Sequence, residues 1–131
     1  MASRKKTRPP RPTDAELAIL RVLWDRGPST VRQVHEALAG QRRTTFNTTL
    51  KFLQIMHDKG LVARDDGRRP HVYRPAAAEG QTQKRLVADL LDRAFGGSAR
   101  KLVAALTAGN ISEKELAEIR RLLDGAGEKK P

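Results

Sequence analysis

No cysteine occurs among the 131 residues, which excludes disulfides, thiolate metal sites and cysteine nucleophiles. The soft ligands that remain are His35, His57 and His71, scattered along the chain. Two of them meeting without a third ligand would not make a metal centre, so no metal and no cofactor is expected. No serine or threonine stands beside a His and an Asp in a nucleophile motif, and no glycine-rich phosphate loop is present, so an enzymatic reading has no residues to rest on. No apolar run approaches the roughly 18 residues of a transmembrane helix, and the opening MASRKKTRPPRP lacks the apolar centre of a secretory signal. The expectation is a soluble, cytoplasmic protein with no membrane insertion.

Acid is the other scarce commodity. Lys and Arg number 26 against 15 Asp and Glu, a formal charge of +11 that favours a polyanionic partner. The excess is uneven. Residues 1–12 hold Arg4, Lys5, Lys6, Arg8 and Arg11 without an acid, and none occurs between Glu36 and Asp58, whereas residues 76–131 are nearly balanced. All but the last five residues of QRRTTFNTTLKFLQIMHDKGLV fall inside this acid-free window, and its threonines and asparagine are poor helix formers ahead of a clear apolar rhythm. Hydrogen bonding to something outside the helix accounts for that choice better than propensity does.

The pattern divides the chain into a flexible basic arm (1–12), a winged helix-turn-helix (13–76), a helical dimerisation region (77–124) and a flexible tail (125–131). Thr13-Asp-Ala-Glu16 has capping-box spacing, and Leu17, Leu20 and Trp24 follow on one helical face until Gly27-Pro28 stops it. Trp24 is expected in the core. Thr30-Val-Arg-Gln33 caps a second helix with Val31, Val34 and Leu38 as its stripe and His35 at the core border. A third helix begins at Thr44 or Thr45 and ends at Lys59, before Gly60. Residues 61–64 and 71–74 read as two strands joined through Asp66-Gly67. Three helices and a hairpin make a winged helix-turn-helix, mainly α with a small β-hairpin, whose third helix enters the DNA major groove.

On a helical wheel the third helix turns Thr49, Phe52, Leu53 and Met56 inward, with Phe46 and Leu50 at the margin, and Asn47, Thr48, Lys51, Gln54 and Ile55 outward. Asn47, Thr48 and Lys51 suit base edges, since Asn pairs with adenine, a hydroxyl serves several bases and Lys reaches guanine or phosphate. Arg42, Arg43, Thr44 and Thr45 at the helix entrance suit phosphates, and Arg68 and Arg69 on the wing suit backbone or minor groove. Plainer roles compete: Thr44 or Thr45 as a cap alone, Lys51 as a solvated charge, the wing arginines as flanks of a turn.

The C-terminal region repeats the helical pattern. Leu86, Val87, Leu90 and Leu91 share one face up to Gly96-Gly97, a short helix spans about 99–108, and Ser112-Glu-Lys-Glu115 precedes Leu116, Ile119, Leu122 and Leu123. About fifty residues are too few to bury a core alone, so this region needs a partner, most simply a second copy of itself.

With these residues in view the chain resembles the BlaI/MecI penicillinase-repressor family over about residues 12–123. The carriers are Thr13-Asp-Ala-Glu-Leu-Ala-Ile-Leu-Arg-Val-Leu-Trp24, Val31-Arg-Gln-Val-His-Glu-Ala-Leu38, Phe46-Asn-Thr-Thr-Leu-Lys-Phe-Leu-Gln-Ile-Met-His-Asp-Lys-Gly-Leu-Val62, and Arg69-Pro-His-Val-Tyr-Arg74 in the wing. The resemblance implies a homodimeric transcriptional repressor on a palindromic double-stranded DNA operator, dimerising through Leu86, Val87, Leu90, Leu91, Leu116, Ile119 and Leu123. It also implies relief by proteolytic cleavage, by a membrane sensor metalloprotease encoded nearby, at a position matching Ala104-Ala105. The Asn-Phe pair of cleaved members is absent there, and the cysteine motif of copper-responsive members is absent from the tail. The rival readings are a winged-helix protein interaction module and a DNA-coating protein without sequence choice.

Overall fold

A computed structural model describes residues 11–128; the basic arm expected over residues 1–12 falls almost wholly outside them. Helix α1 (Asp14–Arg26) starts where the sequence predicts it. The Thr13 hydroxyl accepts the Glu16 N–H at 3.2 Å and the Glu16 carboxylate accepts the Thr13 N–H at 3.0 Å, a reciprocal pair that satisfies two amides with no partner inside the helix. Thr30 and Gln33 repeat the device at the start of α2 (Val31–Leu38). Helix α3 (Phe46–Lys59) is capped by Thr45 and closed by Gly60 at φ 86°, a left-handed conformation that glycine adopts without a Cβ penalty.

The wing strands are β2 (Val62–Asp65) and β3 (Val72–Pro75), each one residue later than predicted. The sheet has a third member. β1 (Ser29–Thr30) pairs antiparallel with β3 through Ser29↔Tyr73 and Thr30↔Val72, giving the order β1-β3-β2. Two residues between helices carry no strand signal of their own; β3 supplies the ladder that makes them one. The sheet closes one side of a core formed by Ile19, Leu20 and Leu23 of α1, Val34 and Leu38 of α2, Leu53 and Met56 of α3, and Tyr73 of β3. Trp24 packs at its edge rather than within it, where its indole N–H donates to the Ala77 carbonyl at 3.2 Å.

One buried ion pair ties α1 to the end of α3. Lys59 Nζ lies 2.8 Å from Glu16 Oε2, and Glu16 is only 2% exposed. Burial pushes the Glu16 carboxyl up, but the bonds from Lys59 and Thr13 outweigh it and hold the group below its usual range. A depressed carboxyl contributes stability above its unfolded pKa, near 4.5, and loses it as the pH falls further. Glu16→Gln should therefore cost about 1–3 kcal/mol at pH 7. The gap to the parent should close towards pH 3, as urea unfolding at the two pH values will read.

Helices α4 (Glu79–Phe95), α5 (Ala99–Ala108) and α6 (Glu113–Glu128) follow. The chain divides into two compact units at Leu86–Val87, within α4. Helix α6 runs on through Gly125 to Glu128, so the first residues of the tail expected to be flexible are helical. No residue of α4 or α5 is buried, and Val87, Leu90, Val103, Leu106, Leu122 and Leu123 are exposed. No helix among the described residues is long and apolar enough to cross a membrane.

Candidate nucleic-acid interface

Thr45 holds the start of α3. Its hydroxyl accepts the Thr48 N–H at 3.1 Å and bonds the Thr48 hydroxyl at 3.0 Å, so a poor helix former serves as the cap that the absent acid would otherwise supply. Thr49, four residues after Thr45, turns inward: it is buried, its hydroxyl donates to the Thr45 carbonyl at 3.3 Å, and it meets His35 Nδ1 of α2 at 3.4 Å. Leu53 and Met56 continue that inward face. The outward face is left to Asn47, Thr48, Lys51, Gln54 and Ile55, all exposed, with no acid before Asp58.

Phe46 departs from the expected inner margin. It is 36% exposed, with the Arg32 guanidinium 5.3 Å from its ring centroid and the His35 ring edge-on at 6.0 Å. The geometry is that of a cation–π contact, which holds the flat guanidinium at the rim of α2 instead of leaving it to swing in water. The motif spacing does not single out Arg32. Its position in the first turn of α2 is the available signal, because the helix preceding the reading helix crosses the DNA backbone in helix-turn-helix proteins.

Between the start of α2, α3 and the wing lies a cleft of about 550 Å³. It gathers Arg32, Gln54, Arg64, Arg69 and His71, and no carboxylate lines it. Arg64 is partly committed, since its Nε lies 2.6 Å from Asp66 Oδ1. That hydrogen bond, aided by the charge of the Arg64 guanidinium, holds Asp66 below the usual carboxylate range against the opposing effect of burial. The wing loop is pinned again where Asp65 Oδ1 accepts the Gly67 N–H at 3.0 Å. Exposed positive charge on the wing is carried by Arg68 and Arg69 in its loop and Arg74 on β3, of which Arg69 reaches the cleft.

The other predicted site residues are placed less uniformly. Arg42 and Arg43 are exposed in the turn after α2, and Thr44 is half-buried. Arg42 borders a shallow depression beside Asp14 and Arg21 of α1, away from the wing cleft. His57 and His71 each approach an aspartate, at 4.0 and 3.8 Å, and among the described residues no three such side chains group as a metal site. Ala104 and Ala105 are exposed within the unbroken helix α5, where the Ala104 carbonyl accepts the Thr107 hydroxyl at 3.1 Å.

Comparison with known proteins gives this arrangement its context: the family model described as penicillinase repressor matches residues 12–125. The chain belongs to the penicillinase repressor family. A curated relative, the transcriptional regulator BlaI of Mycobacterium tuberculosis, is 32% identical over 111 residues, covering 84% of this chain and 80% of the relative. Among solved structures, monomeric Bacillus licheniformis BlaI in complex with the blaP half-operator is 25% identical with a TM-score of 0.49, over 56% of this chain and 89% of that one. A MarR family protein from Bacillus stearothermophilus is 20% identical with a TM-score of 0.49, over 89% of this chain and 74% of that one. Membership of the penicillinase repressor family makes the chain a DNA-binding transcriptional repressor of winged-helix fold, in a family of regulators rather than enzymes.

Proposed function

We propose that this penicillinase repressor family member represses transcription by binding a palindromic operator as a homodimer, with α3 in the major groove. The observation that carries the reading is the cleft at which Gln54 of α3, Arg32 at the start of α2 and Arg69 of the wing come together with no carboxylate in its lining, next to the exposed Asn47, Thr48 and Lys51 of α3. Asn47, Thr48 and Lys51 read bases, Arg43, Arg68 and Arg69 hold phosphates, and Thr44 and Thr45 present the helix start with its unpaired amides. Arg42, set beside α1, takes a phosphate at the outer edge of the footprint. The directional hydrogen-bonding groups at Asn47 and Thr48 favour sequence choice over indiscriminate coating of DNA, which requires charge alone.

Leu86, Val87, Leu90, Leu91, Leu116, Ile119 and Leu123 form the dimer surface. Relief by a membrane sensor metalloprotease at Ala104-Ala105 requires α5 to unwind first, because a protease binds its substrate extended and this bond sits in mid-helix. A regulator of this kind works in the cytoplasm, where its DNA is.

The deciding experiment is a gel shift and footprint on DNA from just upstream of the protein's own gene at two salt concentrations. Two protected half-sites about 10 bp apart, or a multiple of that, are expected. One unpaired half-site would exclude the palindromic dimer, and no salt-sensitive shift would favour a protein-docking module. Lys51→Ala should change the ranking of operator variants by about 1–3 kcal/mol at the affected base pair. Arg43→Ala should weaken all sequences alike and lower the salt slope by about one. The same profile for both variants would refute the division between base and phosphate contacts.

A further inference from the structure

A second groove, of about 390 Å³, lies apart from the wing cleft. Its floor is apolar: Leu20 of α1 and Leu61 at the α3–β2 junction are both buried core residues that show an edge here, flanked by Ala76 and Ala77. Its far wall is the first turns of α4, where Gln81, Thr82, Lys84 and Arg85 bring hydrogen-bond donors and positive charge. No carboxylate lines the groove, and Lys59, which precedes the lining residue Gly60 in the chain, is engaged by Glu16. An apolar floor with a few convergent polar groups at one end, within the roughly 300–1,000 Å³ typical of small-ligand sites, is the usual chemistry of a pocket for an amphipathic small molecule.

We propose that this groove binds a small apolar molecule carrying a single carboxylate, its apolar body on Leu20, Leu61 and the two alanines and its charge at Lys84. Charge complementarity selects an anion: a neutral hydrocarbon would leave the polar wall unused, and a cation would meet Lys84. The inference does not rest on the DNA-binding reading, since none of its residues is assigned there. A bound ligand touches α1, the α3–β2 junction and the first turns of α4 together, so binding to the folded state alone stabilises this unit by mass action.

The one tryptophan of the chain is a built-in reporter, because the Trp24 indole donates to the carbonyl of Ala77, a groove residue. Titration of the full chain with 4-phenylbutyrate should give a saturable change in Trp24 emission and a calorimetric Kd on the order of a millimolar or below. The neutral 4-phenylbutyramide should bind about tenfold more weakly, and Lys84→Glu should weaken the acid about tenfold while leaving the amide unchanged. Ala77→Phe, with circular dichroism to verify folding, should abolish calorimetric binding of both by filling the floor. Equal affinity for acid and amide, no effect of Lys84→Glu, or no saturable binding would each overturn the proposal.

Discussion

Leu90→Arg is expected to leave a folded monomer at micromolar concentrations at which the proposed dimer of the parent chain should form, and to weaken binding to a full operator by about a hundredfold. The magnitude comes from bivalency, since joining two DNA-reading units makes the second contact intramolecular and raises avidity by about 10²–10⁴ without any new contact. Affinity for an isolated half-operator should be unchanged, because Leu90 lies in the C-terminal unit, outside the surface assigned to DNA. The physical ground is the uncovered apolar surface of that unit, with Val87 48%, Leu123 57% and Leu122 73% exposed. Scattered exposed leucines are ordinary, but a region of three helices in which neither α4 nor α5 buries a residue has not completed a core. A charged guanidinium cannot be buried against the same surface of a second copy without a partner. Sedimentation of the variant and binding to full and half operators measure the two effects separately. A variant that stays dimeric would move the interface off this face of α4.

Leu53→Ala is expected to destabilise the N-terminal unit by about 3 kcal/mol, the usual cost of removing a fully buried leucine and leaving a cavity. Leu53 is 0% exposed and sits on the inward face of α3 between Thr49 and Met56. For a unit this small, about 3 kcal/mol corresponds to a fall in Tm of roughly 10 °C or more. The consequence for function is indirect and therefore diagnostic. The outward face of α3 is untouched, so the fraction that remains folded should bind DNA with the same sequence preference, while apparent affinity falls only by the population lost. Urea unfolding followed by operator competition checks both parts. A changed sequence preference would mean that the cavity lets α3 shift against α1 and α2.

The helix starts were legible because capping is local chemistry. Thr13, Thr30 and Thr45 accept amides three residues ahead, and Gly60 closes α3 through its own backbone freedom, so each signal is complete within a few residues of the chain. The inward face of α3 was legible for the same reason, since a period of 3.6 residues is written in the order of Thr49, Leu53 and Met56. Helix α6 is the local failure. The helical region expected to end at residue 124 continues through Gly125 to Glu128, because a glycine lowers helix propensity without forbidding it.

The sequence by itself determined the helices, the hairpin, the polar face of α3 and the surplus of positive charge around it. The tertiary structure alone decided which of those charges stand together. Ser29 and Thr30 become a strand only when β3, more than forty residues on, lies beside them. Glu16 finds Lys59 across 43 positions, Arg32 settles on Phe46, and Arg69 joins Arg32 and Gln54 at one cleft while Arg42 is carried off beside α1. Each of these depends on packing that closes long loops of chain, and the entropy of that closure is met by the whole core at once rather than by any pattern in the neighbouring residues.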